Sequence, residues 1–384
     1  MRRSADRPLP QLFAILGYAV FSFLILAALL ELTSRAIWSA TSRTPEEERA
    51  ASPVYAGTAW AQEFGQEEHL RLKSRHDYAP FLLWGVSNWH GKYVNNDEGK
   101  TGVWRRTVNP VRDECKAHQV VVWTFGGSTL YGTGVPDWAT LPSFLSGDLN
   151  AASSDCVVVS NFGVEGYVSN QELILLMEQL KGGGHPDIVI FYDGLNDAGE
   201  AGPSSGPPHP HFSFDIIKHR IEGSISGRFD FVRESYTLRL GGAIRRVLFR
   251  QPSSQSVLGE LHTKGVAALD NYEGNLSVAK ALAKAYNFRL YCFWQPSLYY
   301  GKKPLVPFEK QLTDAAKDPW SLIMMAVYQE AASRAASVGS FIFLGGIFDS
   351  VTEPIYIDQG HLGPRGNELA AQAVAEYVEH HLGN

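Results

Sequence analysis

VVWTFGGSTLYG, residues 121–132, joins a run of apolar and β-branched residues to two glycines and a serine. The apolar run predicts a buried strand, and the glycine pair predicts a sharp turn at its end. Ser128 would then stand directly after the strand, where a helix begins. Such a serine either caps the helix or serves as a nucleophile, and the rest of the chain has to distinguish these two roles.

Runs of the same kind recur further along the chain. Counting the first, they are QVVVWTF (119–125), CVVVSNF (156–162), DIVIFYD (187–193), RLYCFWQ (289–295) and FIFLG (341–345). Longer helical stretches separate them. Near-continuous apolar runs are typical of strands that are covered on both faces, so the pattern predicts an α/β fold with a parallel sheet and crossover helices.

The N-terminus contains a long apolar segment. Residues 12–30, LFAILGYAVFSFLILAALL, carry no charge, and a helix of this length just spans a hydrocarbon core of about 30 Å. Arg2, Arg3 and Arg7 precede it, which predicts cytoplasmic residues 1–11, a transmembrane helix and an extracytoplasmic main domain. A cleaved signal peptide is the alternative, although the apolar run exceeds the usual length of about 7–15 residues and no good A-x-A site follows it.

The remaining chain divides by composition. Residues 31–56 are polar and predict a linker, and residues 57–116 are rich in tryptophan and predict a small layer packed on the main domain. The α/β domain then covers residues 117–384, with an insertion at about 198–270 that opens with a Pro/Gly/Ser-rich stretch. The net charge of -6 argues against a nucleic-acid partner.

Two helix starts are predicted from their capping residues. SNQE, Ser169 to Glu172, matches a capping box in which serine and glutamate bind each other's backbone N–H groups. Asp197 is predicted to cap the helix that follows the third strand.

Small and polar residues follow four of the five predicted strands. GGST places Ser128 after the first strand, NFGVEGY places Gly166 after the second, and DGLND places Asn196 after the third. DQGH, with Asp358 and His361, follows the last. Because ligands bind at the carboxyl ends of strands in open α/β sheets, we expect these residues to converge on one edge.

These residue types are the components of a serine hydrolase. A serine hydroxyl becomes nucleophilic when an imidazole accepts its proton, and His361 could do so while Asp358 holds its other ring nitrogen. The backbone N–H groups of Ser128 and Gly166 and the side-chain amide of Asn196 could stabilise the oxyanion.

The four segments, in this order, resemble those of the SGNH (GDSL-type) hydrolases. The G-x-S-x-G elbow of α/β-hydrolases is absent, because Leu130 stands where its second glycine would be. The resemblance covers about residues 117–383 and implies a three-layer α/β/α sandwich with a flavodoxin-like, five-stranded parallel sheet. Gly127 replaces the aspartate of the plain G-D-S form, a variant associated with membrane-anchored bacterial cell-envelope members.

By residue, the resemblance implies Ser128 as nucleophile, His361 as base and Asp358 as its orienting carboxylate, with Ser128, Gly166 and Asn196 forming the oxyanion hole. We expect an esterase that needs no cofactor or metal and acts on O-acyl, most simply O-acetyl, esters of an extracytoplasmic carbohydrate. A polysaccharide O-acyltransferase with the same triad and a catalytically silent carbohydrate-binding or assembly protein are the alternatives. The oligomeric state is not predicted.

The three cysteines do not have the spacing of a metal site. Cys115 and Cys156 flank the starts of two strands that are neighbours in the implied fold, which predicts a disulfide between them. Cys292 would then be a free thiol.

Overall fold

The computed structural model describes residues 9–41, 45–74, 76–99, 101–110, 119–153, 155–202, 207–222, 260–314, 319–337 and 339–382. The helices are α1 (Leu9–Thr41), α2 (Pro45–Ala50), α3 (Ala61–Arg71), α4 (Ser128–Tyr131), α5 (Leu141–Ala152), α6 (Ser169–Lys181), α7 (Leu195–Glu200), α8 (Phe214–Ile221), α9 (Leu261–Tyr286), α10 (Pro307–Asp314), α11 (Pro319–Ser337) and α12 (Pro364–Leu382). The strands are β1 (His76–Ala79), β2 (Leu83–Val86), β3 (Trp89–His90), β4 (Asn95–Gly99), β5 (Gly102–Arg105), β6 (Gln119–Gly126), β7 (Cys156–Asn161), β8 (Ile188–Asp193), β9 (Arg289–Trp294) and β10 (Ile342–Phe343).

The chain forms two compact units, and the smaller comprises residues 1–43 and 215–252. Its main described element is α1, within which Phe13–Ile37 is the one described segment long and apolar enough to cross a membrane. This length and composition fit a single membrane anchor or a signal sequence. The helix is longer than the predicted span because no glycine or proline interrupts residues 31–41.

The larger unit, residues 44–214 and 253–384, contains the predicted α/β sandwich. Its five parallel strands lie in the order β7-β6-β8-β9-β10, as in flavodoxin-like sheets. Ile188 and Ile190 of β8 pack towards α5 and α12, whereas Val189 and Phe191 pack towards α6, α9 and α11. The predicted three-layer fold is therefore confirmed, and the alternation explains why the strands read as apolar throughout.

The region between residues 57 and 116 contributes more than a packed layer. Strands β5, β4 and β3 add to the β7 edge in antiparallel order and make the sheet eight-stranded. Residues 45–50, in the predicted 31–56 linker, form α2, which begins with proline in a first-turn position. Within the predicted insertion, residues 203–206 and 223–259 lie outside the described residues.

The predicted capping box is wrong. Helix α6 begins at Ser169 without a side-chain cap at the residue before it. Ser169 instead donates its backbone N–H (3.2 Å) and its hydroxyl (2.5 Å) to Asp197 Oδ1. The predicted N-cap role of Asp197 is also wrong, because Gly194 is the N-cap of α7 and Asp197 lies inside the helix. Glu172, the other member of the predicted capping box, is buried.

Cys156 is disulfide-bonded and Cys292 is a buried free thiol. Cys115, the predicted partner of Cys156, lies outside the described residues.

Candidate active site

Ser128 lies where β6 turns into α4, at the carboxyl edge of the sheet. Gly127 allows the backbone of this turn to lie against the side chain of Asn196, because a Cβ at that position would lie 2.3 Å from Asn196 Nδ2. The glycine that replaces the aspartate of the G-D-S form therefore lets the asparagine amide approach the turn before the serine.

The structure brings Ser128, His361 and Asp358 into one hydrogen-bonded chain. His361 Nε2 is 2.7 Å from Ser128 Oγ, and His361 Nδ1 is 2.8 Å from Asp358 Oδ2. The backbone N–H groups of Gly360 and His361 donate to Asp358 Oδ1 at 3.0 and 2.8 Å. A carboxylate held in this way fixes the ring so that Nε2 can accept the serine proton.

Glu309 fixes the segment that precedes the Asp-x-x-His loop through hydrogen bonds to its backbone. This residue is fully buried, and its Oε1 accepts the backbone N–H groups of Ile355 (3.0 Å) and Tyr356 (3.2 Å). Lys303 Nζ neutralises it at 2.7 Å. Because the buried carboxylate is both paired and hydrogen-bonded, it can hold the segment leading to Asp358 in place.

A cation stabilises the charge of Asp358. Burial alone would raise the pKa of this carboxyl, but the ring and backbone of His361 and the guanidinium of Arg49 outweigh it and hold the pKa well below its usual range. Arg49 Nη2 lies 3.0 Å from Asp358 Oδ2. No sequence pattern indicated Arg49, which lies 309 residues from its partner in the chain.

The two other predicted oxyanion residues lie beside the serine. Gly166 adopts a left-handed backbone conformation with φ of 78°, which favours glycine. It lines the same cavity as Ser128 and His361. Asn196 Nδ2 donates one hydrogen bond to Tyr167 O at 2.7 Å, and an amide nitrogen has a second hydrogen that can serve an oxyanion.

The cavity at this edge has a volume of about 550 Å³. Besides the residues above, its lining includes Glu46, Arg49, Leu72, His76, Trp84, Thr133, Glu165, Phe212 and Ser213. A Cβ on Gly166 would lie 3.5 Å from Trp84 and 3.6 Å from Phe212, so two aromatic rings flank this glycine.

A buried ion network supports the glycine loop. Arg71 binds Glu68 at 2.8 Å and Glu165 at 3.1 Å, and Thr133 Oγ1 donates to Glu165 at 2.8 Å. Trp84 Nε1 donates to the backbone oxygen of Glu165 at 3.0 Å. Of the residues in this network, only Glu165 lies in one of the four segments that the sequence singled out.

Three buried carboxyls, Glu172, Asp193 and Asp197, lie behind the asparagine segment. Burial is the main cause that raises the pKa of Asp193, to about 7, and Asp197 adds to it. Burial and the neighbouring Asp193 also raise the pKa of Glu172 well above its usual range. This cluster therefore holds protons in the folded protein at a pH where carboxyls are normally ionised.

Among the described residues, no group of three or more His, Cys, Asp or Glu side chains is placed to hold a metal ion. The arrangement can perform chemistry with side chains and backbone alone, since it combines a nucleophile, a base and oxyanion donors.

Solved structures similar to this chain include a lipolytic protein of the G-D-S-L family from Veillonella parvula (13% identity, 67% of this chain and 97% of that chain, TM-score 0.34). Two others are a catalytic mutant of an acetylxylan esterase from Geobacillus stearothermophilus (13%, 67% and 92%, 0.36) and a GDSL-like lipase from Bacteroides thetaiotaomicron (15%, 71% and 91%, 0.34). No protein-family model matches the sequence, and the comparison with curated proteins finds no match. At these identities, the likeness concerns the fold.

Proposed function

We propose that the protein is a serine ester hydrolase of the SGNH type. The observation that carries this proposal is the continuous chain from Ser128 Oγ through His361 to Asp358, with contacts of 2.7 and 2.8 Å, at the edge of an open cavity. A serine that merely caps a helix has no need of an oriented imidazole. These contacts are those of a nucleophile with its base and an orienting carboxylate.

The reaction follows from the positions of these groups. Ser128 Oγ attacks the ester carbonyl while its proton passes to His361 Nε2, and the N–H groups of Ser128, Gly166 and Asn196 receive the oxyanion. His361 then gives the proton to the leaving alkoxide, which departs as an alcohol and leaves an acyl group on Ser128. Water attacks this acyl-enzyme with His361 again as base, which releases the acid and regenerates the serine.

For the substrate, we propose a short acyl group, most simply acetyl, on a carbohydrate. The aromatic rings of Trp84 and Phe212 flank Gly166, and such faces can stack on a sugar ring beside the scissile ester. Glu165 and His76 add polar groups to the same cavity, which suits a hydroxyl-rich leaving group. The acyl-enzyme could also pass its acyl group to another hydroxyl instead of water, so the test below measures both outcomes.

We further propose that the domain lies outside the cytoplasm. Arg2, Arg3 and Arg7 precede the apolar helix, which favours a cytoplasmic N-terminus. The disulfide at Cys156 supports the same orientation, because such bonds persist mainly in oxidising compartments.

The decisive experiment uses the full-length chain in detergent micelles. A fluorophosphonate probe should label the wild type and should not label Ser128→Ala, and p-nitrophenyl acetate should be hydrolysed by the wild type alone. Turnover should fall steeply from acetate to palmitate, because each added methylene must fit the cavity. Absence of labelling and of turnover would refute the esterase.

The substrate is tested separately with acetylated glycans. Free acetate should be released, and transfer to an added sugar acceptor would instead identify an acyltransferase. A preference for chains of eight carbons or more with no release from any glycan would refute the carbohydrate substrate and leave the esterase standing.

A further inference from the structure

We propose that Arg49 is a positioning residue of the active site, which acts through Asp358. This inference rests on the proposed function and assigns to it a residue from outside the four sequence segments. Arg49 lies on α2, which begins at Pro45, shortly after α1 ends at Thr41. A residue from the segment that follows the apolar helix in the chain therefore contacts the carboxylate of the triad.

The hydrogen bonds of Asp358 show what Arg49 contributes. Oδ1 is held by the backbone N–H groups of Gly360 and His361. His361 Nδ1 lies between the two oxygens, 2.9 Å from Oδ1 and 2.8 Å from Oδ2, and Arg49 Nη2 lies 3.0 Å from Oδ2. A carboxylate has about four lone-pair positions, and all four have a donor here. Without Arg49, Oδ2 would keep only its share of the imidazole N–H, and the carboxylate could turn towards water.

Helix α2 is fixed well enough to place a guanidinium. It packs on α3 at Gly65, where a Cβ would lie 2.9 Å from Ala50 Cβ and 3.3 Å from Glu46 O. A second contact joins the two helices, with His69 Nδ1 3.3 Å from Glu46 Oε2. The close approach and the polar contact together hold the backbone that carries Arg49.

The partial exposure of Arg49 and Asp358 indicates that their contact orients the carboxylate more than it stabilises its charge. The side chains of Arg49 and Asp358 are 22% and 23% exposed, so the charge attraction is partly screened by water. What water cannot replace is a donor held at a fixed point beside the oxygen that binds the imidazole. Loss of Arg49 should therefore lower kcat, which depends on the triad, and leave KM nearly unchanged.

The test measures kcat and KM for p-nitrophenyl acetate with the full-length chain. Arg49→Gln should lower kcat about 10- to 100-fold, the range of one charge-assisted hydrogen bond. Arg49→Lys should recover most of this loss, because the contact is made through one nitrogen and an ammonium can replace it. Arg49→Met, which keeps the length of the stem, serves in place of the glutamine variant if that variant does not fold.

Arg106→Gln is the matched control. Arg106 pairs with Asp97 at 2.6 Å, and both side chains are about 40% exposed, so the same substitution there should leave kcat unchanged.

A double-mutant cycle shows whether Arg49 acts through Asp358. In an Asp358→Asn background, Arg49→Gln should have almost no further effect on kcat, because the carboxylate it positions is gone. Equal losses in both backgrounds would overturn the proposal, as would an Arg49→Gln enzyme with wild-type kcat. These outcomes are separate from failure of the proposed function, which would appear as an unlabelled, inactive wild type.

Discussion

Replacing Asp358 with asparagine tests the member of the triad that binds the most hydrogen-bond donors. Asparagine keeps the shape of the side chain and one acceptor oxygen, which can still serve the N–H groups of Gly360 and His361. Its NH₂ group would replace Oδ2 and face two donors, the ring of His361 and the guanidinium of Arg49. The ring N–H can then bond only the remaining oxygen, which already accepts two backbone N–H groups, or the proton moves to Nε2, and that nitrogen can no longer accept the proton of Ser128.

The size of the effect follows from the contacts that are lost. Two charge-assisted hydrogen bonds to Oδ2 contribute about 1.5–3 kcal/mol each, so the change removes about 3–6 kcal/mol. At about 1.4 kcal/mol per factor of ten, kcat should fall roughly 10²- to 10⁴-fold. The upper end is the loss expected when a triad carboxylate becomes an amide and the base is held in the wrong tautomer.

The assay is the initial rate of p-nitrophenyl acetate hydrolysis at saturating substrate, with circular dichroism to establish that the variant is folded. Asp97→Asn provides the control, since Asp97 pairs with Arg106 on the surface, and its kcat should not change. If Asp358→Asn kept kcat within tenfold of the wild type while His361→Ala lost activity, Asp358 would not orient the base.

Three further outcomes are expected. Asn196→Ala should lower kcat about 10²- to 10³-fold in the same assay, the cost of one oxyanion donor, and wild-type activity would exclude that role. Gly134→Ala should destabilise the fold by about 1–3 kcal/mol in urea unfolding, because φ is 91° and the added Cβ would lie 2.2 Å from Ile357 Cδ1, whereas Gly147→Ala, with nothing within 4 Å, should not. The raised pKa of Asp193, about 7, means that the folded state binds a proton that the unfolded state loses near pH 4. Wild-type stability should therefore fall between pH 4 and 7, and Asp193→Asn should show a smaller fall; an unchanged pH dependence would contradict this.

The parallel sheet could be predicted because its strands are buried on both faces. Burial of this kind requires continuous apolar runs, and β6 to β9 were located to within a residue from them. The site residues followed, since the carboxyl ends of parallel strands share one edge and three of the four segments stand directly after their strands, whereas DQGH follows β10 after a longer loop. The positions of Ser128, Asp358 and His361 were therefore readable from the sequence.

The missed features depend on contacts between distant parts of the chain. Arg49 meets Asp358 only because α2 packs on α3, and no local pattern encodes that approach. Strands β4 and β5, NNDEG and GVWR, contain too few apolar residues to signal a strand. The SNQE motif misled because Asp197, from another helix, takes the N–H group that a capping box would use.

The two outermost strands of the described sheet, β10 and β3, have only two residues each. A long edge strand presents a row of backbone donors and acceptors that another chain can extend, which is how many β-proteins aggregate. Here the extension by β5, β4 and β3 moves the edge away from the long strand β7 and ends it in a strand too short to serve as a template. Short edges of this kind therefore protect the sheet against edge-to-edge polymerisation with other copies of the chain.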